Sequence, residues 1–269
     1  EAWKDFADCT VRPLSKNIRP DTNGRRIAFT LNEPGQYTVE LDGFHRALHI
    51  FFDPVSDFGV DRSGADVLYF GPGIHRVGKV ELKDNQTAYI DAGAVVYGSF
   101  TAINKSNVRV VGYGVVDGSE EVRTSETGLL AYSFEGVDLT DEKALRELLQ
   151  KNAVLDGCVR LYNCSGSSVE GVTLRDSATF ALIMAGCTGC RCDSVKTIGM
   201  WRYNSDGIDL FNCRGCAIEN CFLRDFDDCI VLKGIKGWDK NNMEDITVRG
   251  CTVWCDWGRA LEIGAETCA

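Results

Sequence analysis

The run Asn204-Ser205-Asp206-Gly207-Ile208-Asp209-Leu210 returns 22 residues later as Asp228-Cys229-Ile230-Val231-Leu232-Lys233, preceded by Asp227. Phe180-Ala181-Leu182 upstream and Arg259-Ala260-Leu261 downstream fall in the same frame. A repeat of this length is the mark of a solenoid. In a parallel β-helix each repeat is one coil of short strands, and residues sharing a frame stack about 4.8 Å apart. Asp206 and Asp228 are therefore expected one above the other, with Asp227 beside them. Three carboxylates so placed resist simultaneous ionisation, which is costly for structure and useful for acid/base chemistry.

The solenoid pattern predicts an all-β domain over residues 66–269, continuing past the last residue. Val67-Leu68-Tyr69-Phe70, Val80-Glu81-Leu82, Thr87-Ala88-Tyr89-Ile90 and Ala94-Val95-Val96-Tyr97 are short apolar strands closed by Gly, Pro or Asn. Four later runs, starting at Val169, Cys192, Ile218 and Val248, align as one strand; each precedes the segment carrying Phe180, Asp206, Asp228 or Arg259. Alternation points Val, Ile, Leu and Cys inward and polar side chains outward, so the outer face is a platform for a ligand. Residues 140–152 are the exception. Thr140 as a cap, Asp141 and Glu142 at the positive end, and a stripe of Ala144, Leu145, Leu148 and Leu149 predict a helix, either a lid over the groove or a cover for an exposed edge.

Residues 1–65 read as a small β-sandwich-like unit. Residues 26–31 and 36–41 flank Asn32-Glu33-Pro34-Gly35, and Leu48-His49-Ile50-Phe51-Phe52 follows Asp42-Gly43, suggesting two successive hairpins.

The formal charge of −10, with no basic run, disfavours nucleic acid and anionic membrane as partners. No stretch reaches the roughly 18 apolar residues of a membrane span. Thirteen cysteines are present, eleven of them from Cys164 to Cys268. Cys164, Cys187 and Cys213 share one frame, Cys190 and Cys216 another, and Cys221 and Cys251 a third. Stacked thiols inside the coils explain this spacing; a zinc site at Cys187-x-x-Cys190 with Cys213-x-x-Cys216, or disulfides, are the alternatives. Unpaired thiols point to a reducing, cytoplasmic compartment, and a secreted protein stripped of its signal would look the same.

Only three histidines occur, His45, His49 and His75, all ahead of the carboxylate coils, which argues against a Ser-His-Asp triad or a histidine zinc site there. What remains is Asp206, Asp209, Asp227 and Asp228, with Asn204, Lys233, Arg259 and Glu262 and the aromatics Trp201, Tyr203, Trp254 and Trp257 near by. Asx-turns would explain one aspartate per coil but not Asp227-Asp228 stacked on Asp206.

Asn204-Ser205-Asp206-Gly207-Ile208-Asp209 followed by Asp227-Asp228-Cys229 resembles the signature of polygalacturonases and their relatives, glycoside hydrolases built on a right-handed parallel β-helix. The N-terminal unit, Tyr69-Phe70-Gly71-Pro72-Gly73 and Asp91-Ala92-Gly93-Ala94 are similar to the related dextranase and isopullulanase family, which carries an N-terminal β-sandwich. The resemblance implies Asp227 as general acid and Asp206 and Asp228 as the groups activating water. It departs at Gly258-Arg259-Ala260, where polygalacturonases have Gly-His-Gly, and their later Arg-x-Lys has no counterpart before Ala269. The galacturonate-binding pair is therefore not carried over. Lys233 and Arg259 are candidates for holding a sugar or its carboxylate, with Asn204, Asp209, Glu262, Trp201, Tyr203 and Trp257 as further substrate contacts.

The expected activity is hydrolysis of O-glycosidic bonds in a polysaccharide or oligosaccharide, pectin-like or α-glucan, with inversion and without a metal or cofactor. Two alternatives stand beside it. One is a Ca²⁺-dependent polysaccharide lyase using Lys233 or Arg259 as base; the other is a solenoid that binds carbohydrate without cleaving it.

Overall fold

The computed structural model describes residues 2, 5–45, 47–123, 136–151, 156–235, 242–264 and 267, without the side chains of 149–151. Two compact units emerge, Glu1–Ser56 and Asp57–Ala269. In the first, Gly35–Leu41 lies between Cys9–Arg12 and Ala47–Phe52 in a three-stranded antiparallel sheet. The hairpin expected around Asp42-Gly43 is present, with both residues at positive φ. The earlier one differs: Arg26–Ala28 pairs with Asp21–Asn23 instead of with Gly35–Leu41. Gly24, at φ 56°, closes a two-residue loop between Asn23 and Arg26, and so short a closure outcompetes a longer one through Pro34.

The second unit is a parallel β-helix. Its chain visits three ladders in turn, coil after coil. The first is a seven-stranded sheet containing Val67–Phe70, Thr87–Ile90, Arg109–Gly112, Ser168–Glu170, Arg191–Asp193, Ala217–Glu219 and Thr247–Arg249. The second and third belong to one twelve-stranded sheet, joined where the long strand Ala94–Ile103 serves both. The second ladder runs on through Val115–Asp117, Thr173–Arg175, Lys196–Met200, Phe222–Asp225 and Thr252–Cys255; the third through Val159–Tyr162, Leu182–Ala185, Ile208–Phe211, Ile230–Lys233 and Leu261–Ile263.

The registers match the sequence alignment. Leu182, Ile208, Ile230 and Leu261 are partners in the third ladder, and Val169, Cys192, Ile218 and Val248 in the first. The latter runs are not single strands, however. Each breaks at a residue of positive φ, Gly171 (77°), Ser194 (54°), Asn220 (52°) or Gly250 (66°), where the coil turns from the first ladder to the second. At Gly171 an added Cβ would sit 2.6 Å from the Gly112 carbonyl oxygen, so the turn is closed by its neighbour as well as by its own φ.

Val, Ile, Leu, Ala, Met and Cys fill the interior. All twelve described cysteines are unpaired, and the three expected thiol stacks occur in register. Their S–H groups donate to ladder carbonyls, as from Cys213 to Met184 (3.2 Å) and from Cys187 to Leu161 (3.4 Å), which satisfies a donor inside a packed core. Among the described residues no group of three or more His, Cys, Asp or Glu is arranged to hold a metal. Cys268 lies outside the described residues. No described helix is long and apolar enough to cross a membrane.

The single described α-helix, Glu142–Lys151, is capped by Asp141, whose Oδ1 accepts the N–H groups of Lys143 (2.9 Å) and Ala144 (3.3 Å). Thr140 does not cap; its N–H and hydroxyl are both taken by Asp138. Leu145 and Leu148 pack on an outward apolar patch of the third ladder made by Ile103, Tyr162, Ile183 and Phe211. The helix thus covers a sheet face, not an edge. Lys105 to Glu142 (3.2 Å) and Arg146 to Glu81 (2.7 Å) pin its rim.

Candidate active site

The aspartates gather where the chain enters the third ladder. The register that pairs Ile208 with Ile230 and Leu261 puts Asp206, Asp228 and Arg259 at one level in successive coils. Backbone bonds hold the stack: Gly207 N–H donates to Asp228 O (2.9 Å) and Cys229 N–H to Arg259 O (2.8 Å). Two glycines allow the close approach. A Cβ on Gly207 would lie 2.4 Å from Cys229 O and 2.5 Å from Asp225 Oδ2, and one on Gly258 would lie 2.8 Å from Asp227 Oδ1. Neither has positive φ, so it is space, not backbone freedom, that demands glycine here.

Asp206 and Asp228 are buried, whereas Asp227 keeps partial exposure. Burial, then the nearby Asp209, push the Asp206 carboxyl well above its ordinary range against the opposing pull of Lys233. Its Oδ1 makes no hydrogen bond among the described residues. Asp227 is also raised, by burial and then by Asp228; the N–H groups of Asp228 and Asn204 and the Lys233 charge act the other way. The Asp228 N–H donates to Asp227 Oδ1 (3.1 Å), and Asp228 Oδ1 in turn accepts the Arg259 N–H (2.6 Å). A half-buried carboxyl group whose proton affinity is raised, beside Asp228 in its own coil and Asp206 in the preceding one, is the pairing that acid/base cleavage needs.

The remaining candidates divide into floor and rim. Asp209, expected at the ligand surface, is fully buried, and Lys233 Nζ stands 3.9 Å from its Oδ2 with only 5% of the side chain exposed. Lys233 Nζ lies 5.6 Å from the ring centroid of Phe180 and 5.8 Å from that of Phe211. Asp209 and Lys233 form a buried ion pair supporting the aspartates. On the rim, Arg259 is exposed and paired with Glu262 at 3.1 Å. Trp201, Tyr203 and Trp257 are exposed by more than half. Trp254 is elsewhere, on the second ladder, with Arg224 over its ring at 4.1 Å. Asn204 sits at the lip with φ 55°, its Oδ1 accepting from Arg123 (3.0 Å).

Three contributors carry no signature of their own. Phe226 stacks on Trp257 (5.5 Å, 4°) and approaches Trp201 (6.4 Å), completing an aromatic row over three coils. Aligning Trp201 with Phe226, each following the paired residues Met200 and Asp225, would have revealed it. Asp225 points into the core behind Gly207. Arg123 arrives from a distant segment with no motif.

The profile of glycosyl hydrolases family 28 matches residues 61–268. The chain is similar to a dextranase of Arthrobacter sp. (strain CB-8), 23% identical over 198 residues covering 70% of this chain and 28% of the dextranase. It also resembles a polygalacturonase of Juniperus ashei, 30% identical over 99 residues, 36% of this chain and 18% of that protein. Among solved structures, Dex49A from Penicillium minioluteum superposes with a TM-score of 0.60 at 16% identity, covering 86% of this chain and 49% of Dex49A. A hyperthermoactive exopolygalacturonase from Thermotoga maritima gives 0.59 at 20% identity, covering 75% and 55%. This chain spans less than a third of the length of the curated proteins it matches. With the profile covering most of its length and the β-helix beneath it, the chain belongs to glycosyl hydrolases family 28.

Proposed function

We propose that this chain carries the active site of a glycoside hydrolase cleaving O-glycosidic bonds in a polysaccharide or oligosaccharide, with Asp227 as general acid and Asp206 and Asp228 activating the water. The observation that carries this reading is the raised, half-buried carboxyl of Asp227 directly beside Asp228 and next to Asp206 of the preceding coil. The acid must hold its proton until it meets the leaving oxygen, and burial supplies that. Asp206 and Asp228, at one level in successive coils, together orient the attacking water and take its proton. Attack by water from the face opposite the acid gives inversion. Family membership supports the reaction class, and the relatives named dextranase and polygalacturonase make α-glucan and polygalacturonate the substrates to try first. The lyase alternative is less well supported. The carboxylates do not converge as a metal-ligand set among the described residues, and both candidate bases, Lys233 and Arg259, are ion-paired.

Asp227→Asn keeps the shape and removes the transferable proton, a loss of roughly 10²–10⁴-fold in rate. On a substrate that the parent cleaves, release of new reducing ends is expected to fall by that factor while glycan binding persists. Undiminished turnover in this variant would take the acid role away from Asp227; chelator-sensitive cleavage leaving unsaturated ends would mean a lyase.

A further inference from the structure

Arg259 stands beside the aspartates, at the level of Asp206 and Asp228 in the next coil. Its backbone N–H donates to Asp228 Oδ1 (2.6 Å), so a sugar unit lying against Asp228 on this side also meets the Arg259 side chain. The guanidinium is open to solvent, with 66% of the side chain exposed, but it is not offered alone: its Nε lies 3.1 Å from Glu262 Oε2. Glu262 belongs to the strand Leu261–Ile263, where it pairs with Val231 of the coil before, and only 15% of its side chain is exposed. The carboxylate is thus the sheltered member of the pair, and the guanidinium is the member a ligand would have to draw away.

The other described cations near the aspartates are engaged as well. Lys233 is buried with Nζ 3.9 Å from Asp209 Oδ2, and Arg202 pairs through Nε with Asp176 (3.0 Å). Arg123 donates from its two terminal nitrogens to Tyr203 O (2.7 Å) and Asn204 Oδ1 (3.0 Å). A sugar carboxylate taken out of water needs a cation of its own, because an unpaired desolvated charge is expensive. At this site it would meet Glu262 beside Arg259, and Asp206, Asp227 and Asp228 at the reacting centre. Like charges forced together cost more than an exposed ion pair returns.

The apolar side of the site suits the same ligand. Phe226, immediately before Asp227, is stacked on Trp257 (5.5 Å) and lies 6.4 Å from Trp201, and both tryptophans are exposed by more than half. Aromatic rings pack against the C–H groups of an uncharged pyranose without stripping water from a charge.

We propose that the glycan unit lying against Asp228 and Arg259 is an uncharged sugar, and that Glu262 is the specificity-determining residue that keeps uronates out. It occupies the Arg259 guanidinium and sets a negative charge where a uronate carboxylate would seek that cation. The inference rests on the reading of Asp206, Asp227 and Asp228 as the reacting centre, and narrows its substrate to neutral glycans.

The test compares ligands that differ in charge. Binding of trigalacturonate, of the same trisaccharide with its carboxyl groups methyl-esterified, and of isomaltotriose is measured calorimetrically on the whole chain, and again in the Asp227→Asn background, where the ligand is not consumed. The parent is expected to bind the uncharged ligands more tightly than the free acid. In Glu262→Gln the free acid is expected to gain about tenfold in affinity while the uncharged ligands stay within about twofold, because only the charged ligand feels the carboxylate removed. Binding of the free acid at least as tight as that of its ester in the parent overturns the proposal. A ratio of ester to acid unmoved by Glu262→Gln, or no binding of either uncharged ligand, overturns it equally. Should Glu262→Gln fail to fold, Glu262→Ala carries the same expectation, and the parent comparison stands without any variant. Binding reads charge selection whether or not Asp227→Asn abolishes turnover, so failure of the catalytic assignment and failure of this one are distinguishable.

Discussion

Asp225 is a carboxyl group enclosed by the core, directly behind the glycine that lets Asp206 approach Asp228. Its Oδ2 accepts from Thr197 Oγ1 at 2.9 Å, its Oδ1 is buried without a hydrogen-bond partner among the described residues, and burial pushes its pKa well above 3.8. A carboxyl whose folded-state pKa is raised binds its proton more tightly in the native chain than in the unfolded one. Its contribution to stability is therefore full below the unfolded value and is lost as pH rises through the folded one. Asp225→Asn, neutral at every pH, is expected to melt increasingly above the parent as pH rises from about 4 towards 8. Melting curves that keep a constant offset across that range would show that Asp225 does not titrate on unfolding. At this scale the sequence disclosed the aspartates readily, because recurrence in a fixed frame marks residues that stack. It did not disclose that Asp209 and Lys233 are floor rather than rim. Alternation places both outward from the coil, and only the packing of Phe180 and Phe211 around Lys233 shows that outward here still means buried. Arg123 was illegible for a different reason: its partners lie about 80 residues away, with no periodicity to connect them.

Among the elements, the parallel ladders were legible to the residue and the turns were not. Apolar runs such as 169–174 look continuous because the turn between two strands needs only one residue of positive φ, and Ser194 fills that place as well as Gly171 does. Local competition misled in the same way at Asn23-Gly24 and at Asp141. Each time, the structure used the shortest closure or the better-placed acceptor over the pattern visible at longer range. The helix Glu142–Lys151 owes little to its own propensity at ten residues. What holds it is the burial of Leu145 against Ile103, Tyr162 and Phe211. Leu145→Ala is expected to cost about 2–5 kcal/mol locally. Amide hydrogen exchange should show residues 142–151 losing protection while the ladders beneath keep theirs; unchanged helix protection would mean that the ion pairs of Glu142 and Arg146 hold it instead.

For the molecule as a whole, the formal charge of −10 gives an electrostatic test of substrate class. An anionic polymer must approach against that field, and salt shortens its reach to roughly 8 Å at physiological ionic strength. If a uronate polymer is cleaved, kcat/KM at low salt is expected to rise as salt is added, whereas cleavage of a neutral glucan should be indifferent. A uronate substrate favoured most strongly at the lowest salt would point to a basic groove that outweighs the global charge. The uneven length of the coils carries a separate implication. Arg109 and Ser168 are neighbours in the first ladder although 59 residues separate them, and the helix is spent inside that interval; Ser168 and Arg191, 23 apart, are neighbours in the same sense. Distance along the chain is thus decoupled from height along the stack. A lineage can lengthen or trim a turn, and so remodel the walls around the aspartates, while each aspartate keeps its level.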